Sequence, residues 1–356
     1  MESVTKQQAQ NELRHLWQHL RAAGRSVRVL WRLTWRWQAW LGLTAVSLLT
    51  ILATLTAFVP LLAPTSRTLR RLNWAAELTS HFRTHYFLLL LLFTVLFLVG
   101  RHRRRAGLTA VFALVNFALI IPFYISPVTA AANTPVYRVV SLNVRTYNTE
   151  YDTVLTFLND TQPDFIVLLE ARFDWQDALE PLQPAYPYNN LSQSGRYDGT
   201  LIFSRFPFAN DGIEEIPDSF RPSAVGQFQL TPNQPITIVA AHPRSPMAVG
   251  RMEERNDHML VLAAELPAQP QPLLLLGDMN TTPWSPIFRV LAKETGLKNG
   301  RLGFGIQATW PAPLGALGIP IDHALISPEI TIHHFQRGPA VGSDHYPIIV
   351  DFSVSP

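Results

Sequence analysis

The chain contains no cysteine among its 356 residues. That absence excludes a disulfide, a zinc–thiolate site and a cysteine nucleophile, and it is compatible with every cellular compartment. The chain also lacks internal repeats and low-complexity tracts. Its Gly277-Asp278 pair is not accompanied by Gly-Lys-Ser or Gly-Lys-Thr, so it is not a Walker phosphate-binding motif.

Acidic residues are scarce in the N-terminal part of the chain. Residues 1–135 carry fifteen Arg and Lys against three Asp and Glu, whereas residues 136–356 carry fourteen against twenty-three. The formal net charge of +3 hides this division. Because the C-terminal part is acidic, it lacks the basic surface that supplies most nonspecific affinity for nucleic acids.

Three long apolar runs follow the N-terminal tail, and we predict transmembrane helices at about 40–62, 80–100 and 106–125. The second run is the shortest, since its strongly apolar part begins only at Tyr86. The first run begins about forty residues into the chain and two more follow it, so we do not expect a cleavable signal peptide.

The segments on either side of the apolar runs have different compositions. Residues 1–39 form a basic tail with four tryptophans among its arginines, which predicts an amphipathic helix at the membrane surface. A nucleic-acid-binding arm is the alternative interpretation of this tail. Residues 126–137 are rich in proline and small residues and are typical of a linker. A separate domain is predicted over residues 138–356.

The basic residues predict the orientation in the membrane. The tail and the Arg101–Arg105 turn should both be cytoplasmic, because short cytoplasmic segments carry an excess of Lys and Arg. Three crossings from a cytoplasmic N-terminus place the C-terminal domain outside the cytoplasm. The loop before the second span weakens this argument without reversing it, because it contains four arginines: Arg67, Arg70, Arg71 and Arg83.

Within residues 138–356, several apolar runs end abruptly in a polar residue. Such a run is typical of a buried strand that delivers a polar group to the edge of a sheet. Isolated Asp and Asn residues at these places are ordinary turn formers, but a set of them is not explained by turn chemistry alone. The strand-end residues are Asn143, Glu170, His242, Asp278 with Asn280, Asp322 and His345.

Amphipathic helices are predicted between these runs, at residues 150–160, 250–266 and 283–294. In the second helix, we assign an apolar stripe that includes Met259, Leu260 and Leu262. Residues 225–230 and 235–241 flank a short turn and are predicted to form an antiparallel hairpin.

Residues from about 138 to 353 resemble the endonuclease/exonuclease/phosphatase superfamily, whose members have the deoxyribonuclease I-like fold. The resemblance implies an α/β (α+β) four-layer sandwich of two packed mixed β-sheets flanked by helices. The tryptophan-containing loop after Asn280 most resembles a bacterial, membrane-tethered branch, which implies a multi-pass protein of the bacterial plasma (inner) membrane. Seven blocks carry the resemblance: residues 141–144, 169–172, 198–205, His242, 277–280, 321–323 and 343–345.

The resemblance also implies roles for individual residues and a Mg²⁺ or Mn²⁺ cofactor. Glu170, Asn143 and Asp344 are the expected metal ligands, and Asp278 resembles the residue that orients or deprotonates the attacking water. The other expected residues are Asn280 on a phosphate oxygen, the Asp322–His345 pair, His242 on the leaving-group side, and, as weaker matches for substrate binding, Arg172 and Arg255.

Other histidines have structural interpretations. His323 alternates with Asp322 along a strand and should point away from the site, as a packing residue. His333 and His334 lie in a short strand without ligand partners at useful spacing. His258 stands where the family often has Gln, so the sequence does not show whether the supporting side-chain contact of that position is kept.

These features predict a membrane-anchored phosphoesterase that uses a divalent metal and in-line attack of water on a phosphodiester. Its expected partners are the lipid bilayer and a phosphate-ester substrate, either a nucleic acid or a lipid headgroup. Inositol phosphates and small nucleotides are further substrate classes within the superfamily. The alternatives are a phosphomonoesterase for a small phosphate ester and a catalytically inactive membrane-bound binding module.

Overall fold

The structure is a computed structural model, and it describes residue 21 and residues 38–58, 66–125, 134–172, 174–193, 195, 199–217 and 221–355. Most of the predicted tail, most of the predicted linker and the end of the first predicted span lie outside these residues. The chain divides into two compact units. One unit comprises Met1–Leu52 with Leu89–Phe112, and the other comprises Ala53–Leu88 with Ala113–Pro356.

The N-terminal part is helical where the structure describes it. Its helices are α1 (Gln38–Leu55), α2 (Arg67–Ser80), α3 (Arg83–Val99) and α4 (Arg103–Ile120), and a 3-10 turn, Ile121–Phe123, extends α4. Two segments of the described chain, α1 and α4 with its 3-10 turn, are long and apolar enough to cross a membrane. The helices α2 and α3 meet that criterion only together, as a pair bent by 75°.

The bend lies at the start of the predicted second span, which was placed at 80–100. The helix α2 ends at Ser80, and α3 begins at Arg83 with seventeen residues. One local and one long-range hydrogen bond hold the break. Arg83 Nε donates to the carbonyl of Ser80 (3.0 Å), and His81 Nδ1 bonds Thr282 Oγ1 (3.0 Å) in the C-terminal part. Two helices are thus clear candidates for spans, rather than three.

The described residues of the C-terminal part form two six-stranded mixed sheets. The first sheet has the strand order β11-β12-β1-β2-β4-β3 and the second has the order β5-β6-β7-β8-β10-β9. The strands are β1 (Tyr137–Asn143), β2 (Phe165–Leu169), β3 (Tyr188–Asn189), β4 (Leu201–Ser204), β5 (Phe208–Ile216), β6 (Ser223–Thr231), β7 (Gln234–Ala240), β8 (Leu273–Asp278), β9 (Lys298–Asn299), β10 (Asp322–Ile326), β11 (Ile330–Arg337) and β12 (Ile348–Val354).

The two sheets pack face to face, and helices cover their outer faces. Because side chains alternate along a strand, neighbouring residues enter different layers. Val139 contributes to the core between the sheets, whereas Val140 packs under α5 (Tyr151–Thr161) and α6 (Asp174–Leu179). In the same way, Leu274 packs in the core between the sheets, whereas Leu275 packs in the layer under the next two helices. Those helices are α7 (Val249–Glu265) and α8 (Pro286–Thr295).

These layers confirm the predicted sandwich of two mixed sheets flanked by helices. The three predicted helices begin and end within three residues of α5, α7 and α8, and the predicted hairpin is the antiparallel pair β6–β7. One detail of the α7 stripe is wrong. Leu260 is 42% exposed, whereas Met252, Arg255 and His258 are buried on the inner face of that helix.

Candidate active site

The topology brings the polar strand ends together at one edge of the sandwich. In the first sheet, β1 and β2 are parallel, so Asn143 and Glu170 leave their strands side by side. In the second sheet, β7 and β8 are parallel and deliver His242 and Asp278. Strand β10 runs antiparallel to β8, and its first residue, Asp322, is the register partner of Asp278. The carboxyl ends of parallel strands meet at one edge, which is why distant residues converge here.

A glycine allows the end of β8 to lie close to the end of β7 at this edge. Gly277 has a φ of 142°, and a Cβ atom there would lie 1.9 Å from the carbonyl oxygen of Ala241. No other residue type fits this position without moving the backbone, because only glycine lacks a Cβ. The contact therefore sets Asp278 directly beside the end of β7.

The predicted residues meet around Asp278. Asn143 Nδ2 donates to Glu170 Oε1 (3.1 Å) and to Asp278 Oδ2 (3.2 Å). His242 Nε2 lies 3.6 Å from both the Glu170 and the Asp278 carboxylate. The backbone N–H of Asn280 donates to Asp278 Oδ1 (2.9 Å), and its side-chain amide donates to the carbonyl of Pro243 (3.0 Å).

Asp322 and His345 form a buried pair. His345 Nδ1 lies 3.0 Å from Asp322 Oδ2, and its Nε2 lies 3.6 Å from Asp278 Oδ2. Burial by itself lowers the pKa of His345, but the charges of Asp322 and Asp278 outweigh it and raise this pKa to about 10. The imidazole is therefore charged at neutral pH and directs an N–H towards Asp278.

The pKa values of Asp278 and His242 shift in opposite directions. Burial raises the pKa of Asp278 to about 7 against the opposing charge of His345, and Asp322 adds to the increase. A carboxylate with this pKa can accept a proton near neutral pH. Burial, followed by the charge of Arg221, holds the pKa of His242 well below its usual value, so this imidazole is neutral.

Three non-glycine residues near the site have left-handed backbone conformations. Their φ angles are 61° at Arg145, 61° at Glu170 and 48° at Asn280. Such conformations are unfavourable for residues with a Cβ, and they concentrate at functional sites that the surrounding structure holds in place. Two of these three residues are predicted site residues.

The donor atoms of the site suit a hard divalent cation. Atoms of Asp278, Asp322 and His345 lie within 4.8 Å of one another, but the charged His345 has no nitrogen lone pair for a cation. The oxygen atoms of Glu170 and Asn143 lie beside Asp278, because Asn143 donates to both carboxylates. Mg²⁺ and Mn²⁺ prefer such oxygen-rich surroundings. Asp344 is at the pocket wall, 37% exposed, where it accepts a hydrogen bond from Trp310 Nε1 (3.3 Å).

Arg172 and Arg255, the two arginines expected to bind substrate, differ in their burial and in their contacts. Arg172 is half-buried, and its charge contributes to the lowered pKa of His242. Arg255 is fully buried and ion-pairs with Glu77 of α2 (2.7 Å). It also donates to the carbonyl of Asn280 (3.0 Å). The guanidinium of Arg255 is enclosed between α2 and the Asn280 loop, and its contact with substrate stays a prediction.

The remaining histidines agree with their structural interpretations. His323 is buried away from the pocket, where its Nε2 bonds the carbonyl of Thr281 (2.8 Å) and its ring packs on Phe288. His333 bonds Ser353 on the neighbouring strand. His258 bonds Ser223 Oγ (2.9 Å), so a side-chain contact exists at the position where the family often has Gln.

A cavity of about 650 Å³ surrounds the site and includes residues that the sequence analysis missed. Arg221 is one of them, since its Nη1 lies 2.9 Å from His242 Nδ1. Arg145 was detectable in principle, because it follows Asn143 by two residues. The other missed residues with a charged, aromatic or helix-borne side chain are Tyr147, Arg244, Arg251, Trp310, Leu78, His81 and Phe82.

Comparison with known proteins agrees with this fold. A family model described as "Endonuclease/Exonuclease/phosphatase family" matches residues 140–345. A structure of D. rerio TDP2 complexed with single strand DNA product has a TM-score of 0.51 at 18% identity and covers 62% of this chain and 99% of its own. A family protein from Bacteroides vulgatus has a TM-score of 0.50 at 17% identity, covering 62% and 100%. The search of curated proteins found no match.

Proposed function

The chain belongs to the endonuclease/exonuclease/phosphatase family, and from that premise we propose that it is a membrane-anchored, divalent-metal-dependent phosphodiesterase. One observation carries the proposal: the predicted acid, base and amide groups of four strands meet around Asp278 in a single cavity. Two carboxylates with different environments and a charged imidazole are what in-line hydrolysis of a phosphate ester requires.

In the proposed reaction, Asp278 orients a water molecule and accepts its proton as the water oxygen bonds to phosphorus. The ester P–O bond on the opposite side breaks in the same displacement. The charged His345, held by Asp322, donates to a phosphate oxygen and stabilises its growing negative charge. The neutral His242 donates a hydrogen bond from its N–H to the departing oxygen, which takes its proton from solvent, and Asn280 holds a second phosphate oxygen. No covalent bond to the protein forms.

Glu170 and Asn143 would hold the metal ion, with Asp344 as the third expected ligand. When bound, the ion supplies positive charge that polarises the phosphate and stabilises the transition state. Asp278 is buried between Asn143, His242 and the charged His345, so a positive charge already lies beside it.

The membrane anchor is supported by the surface of the N-terminal helices. Large apolar side chains lie exposed along α1, α3 and α4, for example Leu49 at 65%, Leu98 at 56% and Leu114 at 65%. Exposed apolar surface of this extent marks contact with lipid or protein. We propose that the three helices cross the plasma membrane of a bacterium, with the catalytic domain outside the cytoplasm.

Two kinds of phosphodiester are the substrate classes to test first. The TDP2 structure from D. rerio holds a single strand DNA product, which makes a nucleic acid one class to test. The proposed anchor near lipid headgroups makes a lipid phosphodiester the other.

We expect the full-length protein to hydrolyse bis(p-nitrophenyl) phosphate, to lose this activity in EDTA and to regain it with Mg²⁺ or Mn²⁺. Glu170→Ala should reduce the rate and weaken the response to metal, because it removes the expected carboxylate ligand. Glu265→Ala, an exposed glutamate at the end of α7, is the matched control and should behave as wild type. Unchanged activity in EDTA would contradict the proposal.

A further inference from the structure

The cavity has an apolar wall beside its polar floor. Leu78 at the end of α2 and Phe82 in the turn before α3 line it, together with Pro246, Met247 and Ile319. Phe82 is 39% exposed and Met247 is 66% exposed, so the wall continues to the mouth of the cavity. This wall belongs to no strand end and has no role in the hydrolytic step described above.

The helix α2 is fixed to the domain along one face. Arg70, Trp74, Glu77 and His81 follow one another at intervals of four, three and four residues, which places them on one side of a helix. Arg70 ion-pairs with Glu253, and Trp74 Nε1 donates to the carbonyl of Pro246 (2.8 Å). The wall residue Pro246 is therefore tied to α2.

A buried cluster anchors the end of α2 next to the wall. Glu77 accepts from Arg255 Nη2 (2.7 Å) and from Ser285 Oγ (2.6 Å), and His81 bonds Thr282. Because Arg255 also holds the carbonyl of Asn280, the same cluster connects the wall to the polar floor. The position of Leu78 and Phe82 relative to the reacting groups is thus set by buried contacts.

Positive charge lies beside the apolar wall. Arg145, Arg221, Arg244 and Arg251 line the same cavity. Arginine is well suited to bind phosphate oxygens. A ligand that matches both surfaces has a phosphate next to an apolar group. A polynucleotide matches less well, because each of its residues carries a further phosphate and its backbone needs a polar, positively charged track.

We propose that the α2–α3 turn forms an apolar subsite of the catalytic cavity and that the substrate is an amphiphilic phosphodiester of the membrane-lipid type. The proposal rests on the phosphodiesterase function and adds its substrate class. The outer face of α2 agrees with this assignment, because Leu69 and Leu72 are 54% and 61% exposed there and would contact the membrane surface. The mouth of the cavity then opens at the level of the lipid headgroups.

Two soluble substrates with the same leaving group test the subsite. The full-length protein in nanodiscs is assayed with p-nitrophenyl octyl phosphate and p-nitrophenyl methyl phosphate, and kcat/KM is compared. We expect the octyl ester to be preferred at least roughly tenfold, since burial of only two methylene groups is worth about that factor. Leu78→Ala and Phe82→Ala should bring the ratio of the two kcat/KM values towards one.

Matched variants separate the subsite from general effects. Leu72→Ala removes an exposed leucine of the same helix outside the cavity, and it should keep the wild-type ratio even though the octyl ester partitions into the nanodisc. Phe82→Leu keeps an apolar side chain and should retain most of the preference. Because the readout is a ratio within one variant, a partly unfolded preparation does not imitate the expected result.

Several outcomes would overturn the subsite. Equal kcat/KM for both esters in the wild type, with both hydrolysed, would exclude it and leave the phosphodiesterase function standing. An unchanged ratio in both alanine variants would show that the preference arises outside the wall. A higher kcat/KM for single-stranded DNA than for the octyl ester would exclude a lipid-type substrate. Hydrolysis of none of the three would overturn the proposed function itself.

Discussion

Two residues at the site depend on each other although they lie on different strand ends. Asp322 is 1% exposed, and its carboxylate bonds the Nδ1 of His345, which is 23 positions further along the chain. The carboxylate both orients the ring and stabilises its charged form, so that Nε2 faces Asp278. Neither residue can perform its proposed role without the other.

The pair leads to a prediction about non-additive losses. Asp322→Ala and His345→Ala should each reduce kcat by roughly 10²–10⁴, the usual range for a positioned proton donor. The double variant should be little worse than His345→Ala alone, because residues that act as a unit lose their effect together. Steady-state kinetics of the four proteins on one phosphodiester measures this.

A histidine elsewhere provides the control for that experiment. His334 is exposed on β11 and outside the cavity, so His334→Ala should leave kcat at the wild-type value. Additive losses at Asp322 and His345 would mean that the two residues act independently.

At the scale of secondary-structure elements, α2 is the part of the chain whose role differs most from expectation. The segment was treated as a basic loop before the second span. It is instead a helix capped by Ser66, whose side chain accepts from the N–H of Leu69, and it packs on α7. Two arginines that weakened the orientation argument have partners within the protein. Arg70 pairs with Glu253, and Arg83 donates to backbone carbonyls that include Thr54.

We predict that α2 contributes to the stability of the catalytic domain through Glu77. Glu77→Ala would leave the buried Arg255 without its carboxylate, which typically costs about 3–5 kcal/mol. In a domain of this size, such a loss corresponds to a decrease in Tm of roughly 10 °C. Thermal unfolding of the detergent-solubilised protein measures the shift.

Two further variants show whether the effect belongs to the buried pair. Glu253→Ala breaks the more exposed pair with Arg70 and should lower Tm much less than Glu77→Ala does. Replacing both Glu77 and Arg255 by Met should recover part of the lost stability, because no unpaired charge is then buried. Equal Tm values for Glu77→Ala and Glu253→Ala would show that the buried pair has no special importance.

At the scale of the whole molecule, the contacts of α2 bear on the membrane topology. The helix contacts the catalytic domain, and α3 and α4 follow α2 before that domain begins. An even number of crossings must therefore separate α2 from the domain. If α4 crosses the membrane, α3 crosses it as well, even though its seventeen residues span only about 25 Å.

We predict that the C-terminus lies outside the cytoplasm. Alkaline phosphatase fused after Pro356 should be active, whereas green fluorescent protein at the same place should be dark in intact cells. The reason is that the basic tail and the Arg101–Arg105 turn would both be cytoplasmic with three crossings. The same reporters fused after Arg104 serve as the control and should give the reverse pattern. A fluorescent fusion after Pro356 would mean that the number of crossings is even.

Much of the catalytic domain was determined by the sequence itself. Apolar runs such as Leu273–Leu276 identify buried strands by local composition, and the polar residue that ends each run must then lie at a sheet edge. The family motifs add which edges face one another. For this reason Asn143, Glu170, Asp278 and His345 were predicted to belong to one site, and the structure brings them together.

Other features were decided only by the tertiary structure. The ion pair of Arg255 was not predicted, although Met252, Met259 and Leu262 place this residue on the buried face of α7, because its partner Glu77 is 178 positions away and leaves no local pattern. The apolar wall was missed for the same reason. A contact between distant segments depends on how complete elements pack, whereas a strand or a helix end depends on residues that are neighbours in the chain.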